Sequence, residues 1–400
     1  MIEFLKRTWA QINLDAIENN FRAITKSLSA GCQAMAIVKA DAYGHGAGYV
    51  SRTLRDAGAT WFGVSNLDEA LQIRNEGIDQ SILILAYTPP AQASKLAANR
   101  ITQTVFTSEY AQQLSRSAVN SGVKVRIHIK LDTGMSRIGF FCQSHEEINK
   151  SVDEIASVCS LPGLEAEGIF THFTSADEES GEQYTRLQFE RFQRVTHILD
   201  DRGVKFALKH CCNSAASMRF PEMHLDLVRP GLILYGLSPD VWMQDKLLLT
   251  PAMELKTVVS MTKTVPAGTT ISYGRTYTTQ GDLKLATLPI GYADGFPRGM
   301  SNRAEMLVCG RRASVVGRVC MDQCMLDVTG IDEVKEGITV TVFGHDGDEF
   351  LPVEKFADLS GTINYEIICS IGKRVPRIFQ SRGQIIGQLN YIEAHKGEYI

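Results

Sequence analysis

The sequence predicts an α/β protein: a (β/α)8, TIM-like barrel over residues 12–245, followed by a mainly-β domain over residues 246–385. Three observations lead there. A chain of 400 residues is too long for one ordinary domain. Up to about residue 240, short β-branched and aliphatic runs alternate with stretches of helical period. After about residue 245 the runs become short, alternating and separated by glycine-containing turns.

The barrel strands can be counted in order. They are AMAIVKA (34–40), WFGVSN (61–66), SILILAY (81–87), ITQTVF (101–106), KVRIHIKL (124–131), EGIFTHF (167–173), KFALKH (205–210) and DLVRPGLIL (226–234). Eight such units close a barrel, and reacting groups are then expected at the C-terminal ends of the strands. ELKTVVSMTKTV, LKLATLPI, RRASVVGRVCM and GITVTVFG carry the all-β pattern of the second domain. TWAQINL, before the helix-like IENNFRAI, also alternates. Residues 1–11 can therefore add a strand to the second domain, although the alternation alone assigns TWAQINL to neither, and 386–400 reads as a tail.

Composition narrows the function. A hydrophobic fraction of 44% with 22% charged residues is that of a soluble globular chain. A net charge of −4 without a basic, aromatic-interleaved stripe gives no case for nucleic acid, so small molecules are the expected partners. The N-terminus lacks a signal-like apolar stretch, and no run is long enough to span a membrane, which points to the cytoplasm. Nine cysteines without a CxxC pair read as reduced thiols, and no metal site is expected.

Three places could carry chemistry. Lys39 in AIVKADAYGHG ends an apolar strand and precedes a glycine-containing loop. Lysines there are ordinarily solvated, but a desolvated one keeps a neutral, nucleophilic amine. In KVRIHIKL the apolar residues alternate with Arg126, His128 and Lys130, a cationic row that faces into a barrel. Such a row needs anionic cofactor groups or acidic side chains to meet it. Arg229 precedes Pro230, which stops its strand.

These motifs, in order, resemble the alanine racemase family of pyridoxal phosphate (PLP) enzymes. AIVKADAYGHG is similar to that family's PLP-attachment sequence, and IKLDTGMSRIG, IFTHF, CCNSAAS, VRPGLILYG, ISYGRTY, LPIGYADGF, VGRVCMDQ and TINYEIICSIGKRVPR follow in register. The resemblance covers nearly the whole chain. It implies a two-base racemisation of L-alanine to D-alanine for peptidoglycan, in a homodimer whose active sites are shared between subunits. Lys39 would hold PLP as a Schiff base and serve one face of the substrate, while the partner's Tyr273 serves the other. Arg137 would lie near the phenolic oxygen of PLP and the substrate carboxylate, and Lys130 matches a position carbamylated in many relatives, the alternative being an ion pair with Asp132. His172 would pack on the pyridine ring, and Arg229, supported by His210, would bond its nitrogen, the alternative being a salt bridge to Asp226. Tyr43, Ser214, Gly231, the Leu232 backbone and Tyr365 would hold the phosphate. The Met321 N–H would bind the substrate carboxylate, with Asp322 in the same loop, while Tyr292, Tyr365 and Asp177 line the entrance.

Other readings stay open. Serine could be the main substrate, since one hydroxyl changes such binding little. PLP-dependent decarboxylases resemble a glycine-rich loop where this chain has CCNSAAS, and a metal-dependent aldolase would need a His/Cys cluster. A non-catalytic PLP-binding protein would resemble the barrel alone and would not need roughly 150 further residues bearing Tyr273, Met321 and Tyr365.

Overall fold

The structure, a computed structural model, describes residues 4–393. It divides into two compact units: one is Ile17–Ala42 with Ala47–Thr250, and the other takes the remaining described residues, 4–16, 43–46 and 251–393.

The first unit is a nearly closed barrel. Eight parallel strands among the described residues form its wall, Gln33–Ile37, Trp61–Val64, Ser81–Ile84, Ile101–Val105, Val125–Asp132, Leu164–Phe170, Leu208–His210 and Leu227–Val228, paired in chain order with the last beside the first, and a short ninth, Phe140–Phe141, pairs with the end of Val125–Asp132. The seam between the last two is bridged by single backbone bonds, Asp226 N–H to Lys209 O at 3.2 Å and Arg229 N–H to Cys212 O at 3.0 Å. Several of the helices that follow the strands start at a capping side chain. Asn66, Thr107 and Ser144 accept the N–H of Glu69, Tyr110 and Glu147. Each helix then turns an apolar stripe inward: Ile148, Val152 and Ile155 recur at helical spacing and are buried.

Several strands end earlier than their apolar runs. The first stops at Ile37, so Lys39 lies two residues beyond it rather than within it. The sixth runs from Leu164 to Phe170 and leaves His172 past its end. The 226–234 run yields only Leu227–Val228, since Pro230 lacks the N–H a ladder needs, and Leu232–Tyr235 winds instead into a 3-10 turn.

The second unit is built on a large, mostly antiparallel sheet. Its strands run in the order 261–265, 283–288, 324–327, 311–315, 305–308, 339–346, 253–258, 8–13, 377–381 and 384–389. Alternation is visible in burial: Met253–Val258 and Cys324–Asp327 bury every second side chain. The strand Thr8–Asn13 belongs here, antiparallel to Met253–Val258 and parallel to Arg377–Ser381. Gln384–Leu389 continues past residue 385, because its pairing to Arg377–Ser381 orders a stretch whose sequence reads as tail. Residues 394–400 of that tail lie outside the described residues. No described helix is long and apolar enough to cross a membrane.

Candidate active site

In the barrel unit, Lys39 opens a left-handed turn. Ala40, Asp41, Ala42 and Tyr43 have φ of 51°, 54°, 54° and 54°, a conformation L-residues avoid at roughly 1–2 kcal/mol each. Side chains hold it in place. The Glu69 carboxylate accepts from Ala40 N–H at 2.9 Å and Ser65 N–H at 2.7 Å, and Asp41 accepts from Ala47 N–H at 2.8 Å. Strain kept this way is a mark of functional segments.

Lys130, near the end of Val125–Asp132, is buried and donates to Leu131 O at 2.5 Å. Burial first, then the Arg229 and Arg137 cations, push its amine down to about 7. The expected alternative of an ion pair with Asp132 is not what forms. Asp132 Oδ1 instead accepts the N–H groups of Gly134, Met135 and Ser136 at 3.1, 3.0 and 2.9 Å, building the loop that presents Arg137. Gly139 closes that loop, where a Cβ would lie 2.7 Å from Asp132 N.

Arg229 is buried among acceptors: His210 Nδ1 at 2.8 Å, Thr171 O at 2.7 Å and Cys211 O at 2.9 Å. The alternative salt bridge to Asp226 is not made, because Asp226 accepts from Lys209 N–H at 2.7 Å. His172 Nδ1 stands 3.4 Å from Arg229 Nη2. Burial, together with Arg229, Lys130, Arg137 and Lys39, holds His172 well below the usual imidazole range and keeps it neutral. These four basic side chains therefore face one neutral ring. Next to them Asn213 caps the short helix Ser214–Arg219, and Ser214 Oγ accepts from Gly231 N–H at 2.9 Å, ahead of the turn begun by Leu232. Asp177 is half-buried, its carbonyl accepting from the Trp242 indole at 2.9 Å.

The second unit gathers the remaining candidates. The Tyr43 and Tyr365 rings lie 6.0 Å apart, and burial pushes the Tyr43 phenol up. Tyr273 is 69% exposed on a loop with positive φ at Ser272, Gly274 and Arg275. Tyr292 and Met321 sit on touching loops, Tyr292 N–H donating to Cys320 O and Ala293 N–H to Met321 O, each at 3.1 Å. A cluster missed by the sequence reading fastens these loops. Fully buried Asp294 pairs with Arg7 and with Arg374, and Arg374 also reaches Asp322 Oδ1 at 2.7 Å and Met321 O at 3.4 Å. Arg374 lies inside a quoted motif, but nothing local to it signals a partner 80 residues away.

Both halves of the chain match family models, the alanine racemase N-terminal domain over residues 12–239 and the C-terminal domain over 252–379. An alanine racemase of Desulforamulus reducens is 49% identical over 372 residues, 93% of this chain and 98% of that protein. The structure of an alanine racemase from Clostridium difficile 630 superposes with a TM-score of 0.92 at 39% identity, covering 98% of this chain and all of the other. A histidine racemase from Leuconostoc mesenteroides subsp. sake has a TM-score of 0.83 at 31% identity, covering 94% and 98%. A barrel whose first strand leads to a lysine beside a cluster of basic side chains, joined to this β unit, defines the class of two-domain amino-acid racemases. Within that class the chain belongs to the alanine racemase family.

Proposed function

We propose that the protein racemises alanine with PLP bound through Lys39. The single observation that carries this reading is the cluster of basic side chains around His172. Buried Lys130 and Arg229 converge with Arg137 and Lys39 on neutral His172, with Asp132 and Asp226 both engaged elsewhere. An anionic group would balance such a cluster, and Ser214 Oγ, which accepts from Gly231 N–H and keeps its own O–H to donate, suits a phosphate. The donor set therefore fits PLP. Lys39 would hold its carbonyl carbon, Arg229 its ring nitrogen and His172 its face. Ser214, Gly231, Leu232, Tyr43 and Tyr365 would hold its phosphate. Bound there, the cofactor supplies the electron sink for the Cα–H bond.

The residues divide the remaining work. Arg229 cannot give up its proton, so it leaves the ring nitrogen unprotonated and the sink weak, which favours returning a proton to Cα over side reactions. The Lys39 amine moves the Cα proton on one face and the Tyr273 phenol on the other. Tyr273 comes from the partner of a homodimer in this reading, which is supported by its exposure on its own chain. Arg137 and the Met321 N–H receive the substrate carboxylate, while Tyr292, Tyr365 and Asp177 narrow the entrance. Lys130, its amine held to about 7, adds to carbon dioxide by forming an N–C bond and releasing a proton, which gives a carbamate that orients Arg137. The free thiols of all nine cysteines suit a cytoplasmic setting.

The test is exchange of the alanine Cα hydrogen with heavy water, run beside serine. Wild-type protein should exchange and invert L- and D-alanine, Lys39→Ala should do neither, and Tyr273→Phe should lose roughly 100-fold or more in the L-to-D direction. Faster turnover of serine would reassign the substrate. Absence of exchange with either amino acid would sink the reading.

A further inference from the structure

Beneath Arg229 and the His210 that supports it, the barrel holds two further polar groups that the racemisation scheme does not use. His210 Nε2 lies 2.9 Å from His128 Nδ1, and His128 Nε2 points toward Glu167 Oε2 at 3.6 Å. Both imidazoles are fully buried. Two features of the fold make room for the row. The ladder between Val125–Asp132 and Leu164–Phe170 slips by one residue at Ile127/His128, so that Ala166 and Gly168 take partners while Glu167 is the extra residue. A bulge of this kind re-aims a side chain. Gly168 then leaves the space for the His128 ring, because a Cβ there would stand 2.6 Å from Cε1, 2.7 Å from Nε2 and 2.8 Å from Nδ1. Its φ is not in the left-handed region, so it is space, not backbone conformation, that requires glycine here.

The proton positions follow from both ends. A guanidinium only donates, so His210 Nδ1 must be a bare acceptor, and its proton sits on Nε2. That N–H can only donate to His128 Nδ1, which places the His128 proton on Nε2. From the opposite end, a bare Nε2 facing the Glu167 carboxylate would be repelled and an N–H is attracted. The two deductions agree. We infer that His128 and Glu167 are positioning residues of Arg229: with His210 they form a one-way row, hydrogen-bonded from Arg229 to His128 and ended by the charge attraction between the His128 Nε2–H and the Glu167 carboxylate 3.6 Å away, and the row fixes both imidazole tautomers and the plane of the guanidinium.

Burial, above all, together with the Arg229 cation, holds both rings below the usual imidazole range, while Glu167, also facing Thr102 and Arg126, opposes this at His128. The chain therefore stays neutral and keeps its direction. Its catalytic meaning rests on the reading that Arg229 holds the cofactor ring nitrogen, and its geometry does not.

Nitrogen NMR of isotope-labelled histidine, in the PLP-loaded and the cofactor-free protein, reads the tautomers directly. His128 and His210 should both be neutral at about pH 7.5 with the proton on Nε2, and should gain a second proton, if at all, only below the range of a free imidazole. A proton on Nδ1 of either neutral ring, or a titration at or above the free-imidazole range, would overturn the inference. In the loaded enzyme Glu167→Ala should lower kcat about tenfold with KM unchanged, and Glu167→Gln, which keeps an acceptor, should stay within about twofold of wild type. Equal losses in the two variants, or a loss confined to KM, would equally overturn it. Gly168→Ala should disturb the His128 resonance, and that readout decides the matter if Glu167→Ala does not fold. A protein with the stated tautomers that neither binds PLP nor racemises would instead refute the functional reading alone.

Discussion

Lys130 gives the residue scale its plainest consequence. Its folded amine titrates at about 7 and an unfolded lysine at 10.5. Between those values the unfolded chain binds more protons than the folded one, so stability rises with pH across the window, by at most about 1.4 kcal/mol per pH unit. Below about 7 both states are protonated and the full cost of burying the charge is present. Urea unfolding from pH 7 upward, in buffer free of carbon dioxide, should show this rise in the wild type and lose it in Lys130→Met. An identical slope in the two proteins would mean that Lys130 is not the group responsible. In KVRIHIKL the buried His128 and Lys130 were legible in sequence because a strand displays its polar face by simple alternation, whereas Arg126 of the same row is exposed and His128 is held below the usual imidazole range, so the row is less cationic than expected. The direction of its hydrogen bonds was not legible, because that depends on Arg229 and Glu167, which only folding brings near.

At the scale of elements, two loops and a turn carry the load. Asp294 has no exposed surface, and its two arginine partners are about a third exposed. Asp294→Ala removes the acceptor that joins them, but water can still solvate both cations. The cost should therefore be about 2–3 kcal/mol, below that of a fully buried pair. Equilibrium unfolding would measure it, and a change under about 0.5 kcal/mol, typical of a surface site, would contradict the clamp. In the turn after Lys39, Ala40 is exposed yet left-handed. A β-branched residue tolerates that conformation worse than alanine, so Ala40→Val should lower stability by about 1–2 kcal/mol, with the melting temperature as the check. Neither feature could be read from the chain. ADAY has the composition of an ordinary helix start, and the partners of Asp294 lie 287 and 80 residues away. By contrast, the helix caps and the strand periods are local signals, so the order of elements was readable while strand ends at Lys39, His172 and Pro230 were not.

For the whole molecule, the shared-site reading makes a prediction that no single-chain variant can. Lys39→Ala and Tyr273→Phe proteins, each impaired alone, should recover activity when unfolded together and refolded as a mixture. A heterodimer of the two holds one site with both bases intact and one with neither. Random pairing in a symmetric dimer would then restore about a quarter of the wild-type sites. No recovery, with heterodimers confirmed by mass, would place both bases in one chain. The two-part architecture was legible because the alternation of strands and helices gives way to strands alone near residue 245. The opening strand was ambiguous because its seven residues alternate equally well for either partner sheet.

That strand, Thr8–Asn13, also bears on how the protein is made. It lies between Met253–Val258 and Arg377–Ser381, so this segment is translated long before either partner and waits for both before its two edges are covered. The barrel sequence is translated between them and can fold as its strands emerge in order. The sheet of the second unit cannot, since its central pairings span hundreds of residues and must pay a large closure entropy. During synthesis this apolar strand is an unpaired edge attached to a maturing barrel, the kind of surface that chaperones hold.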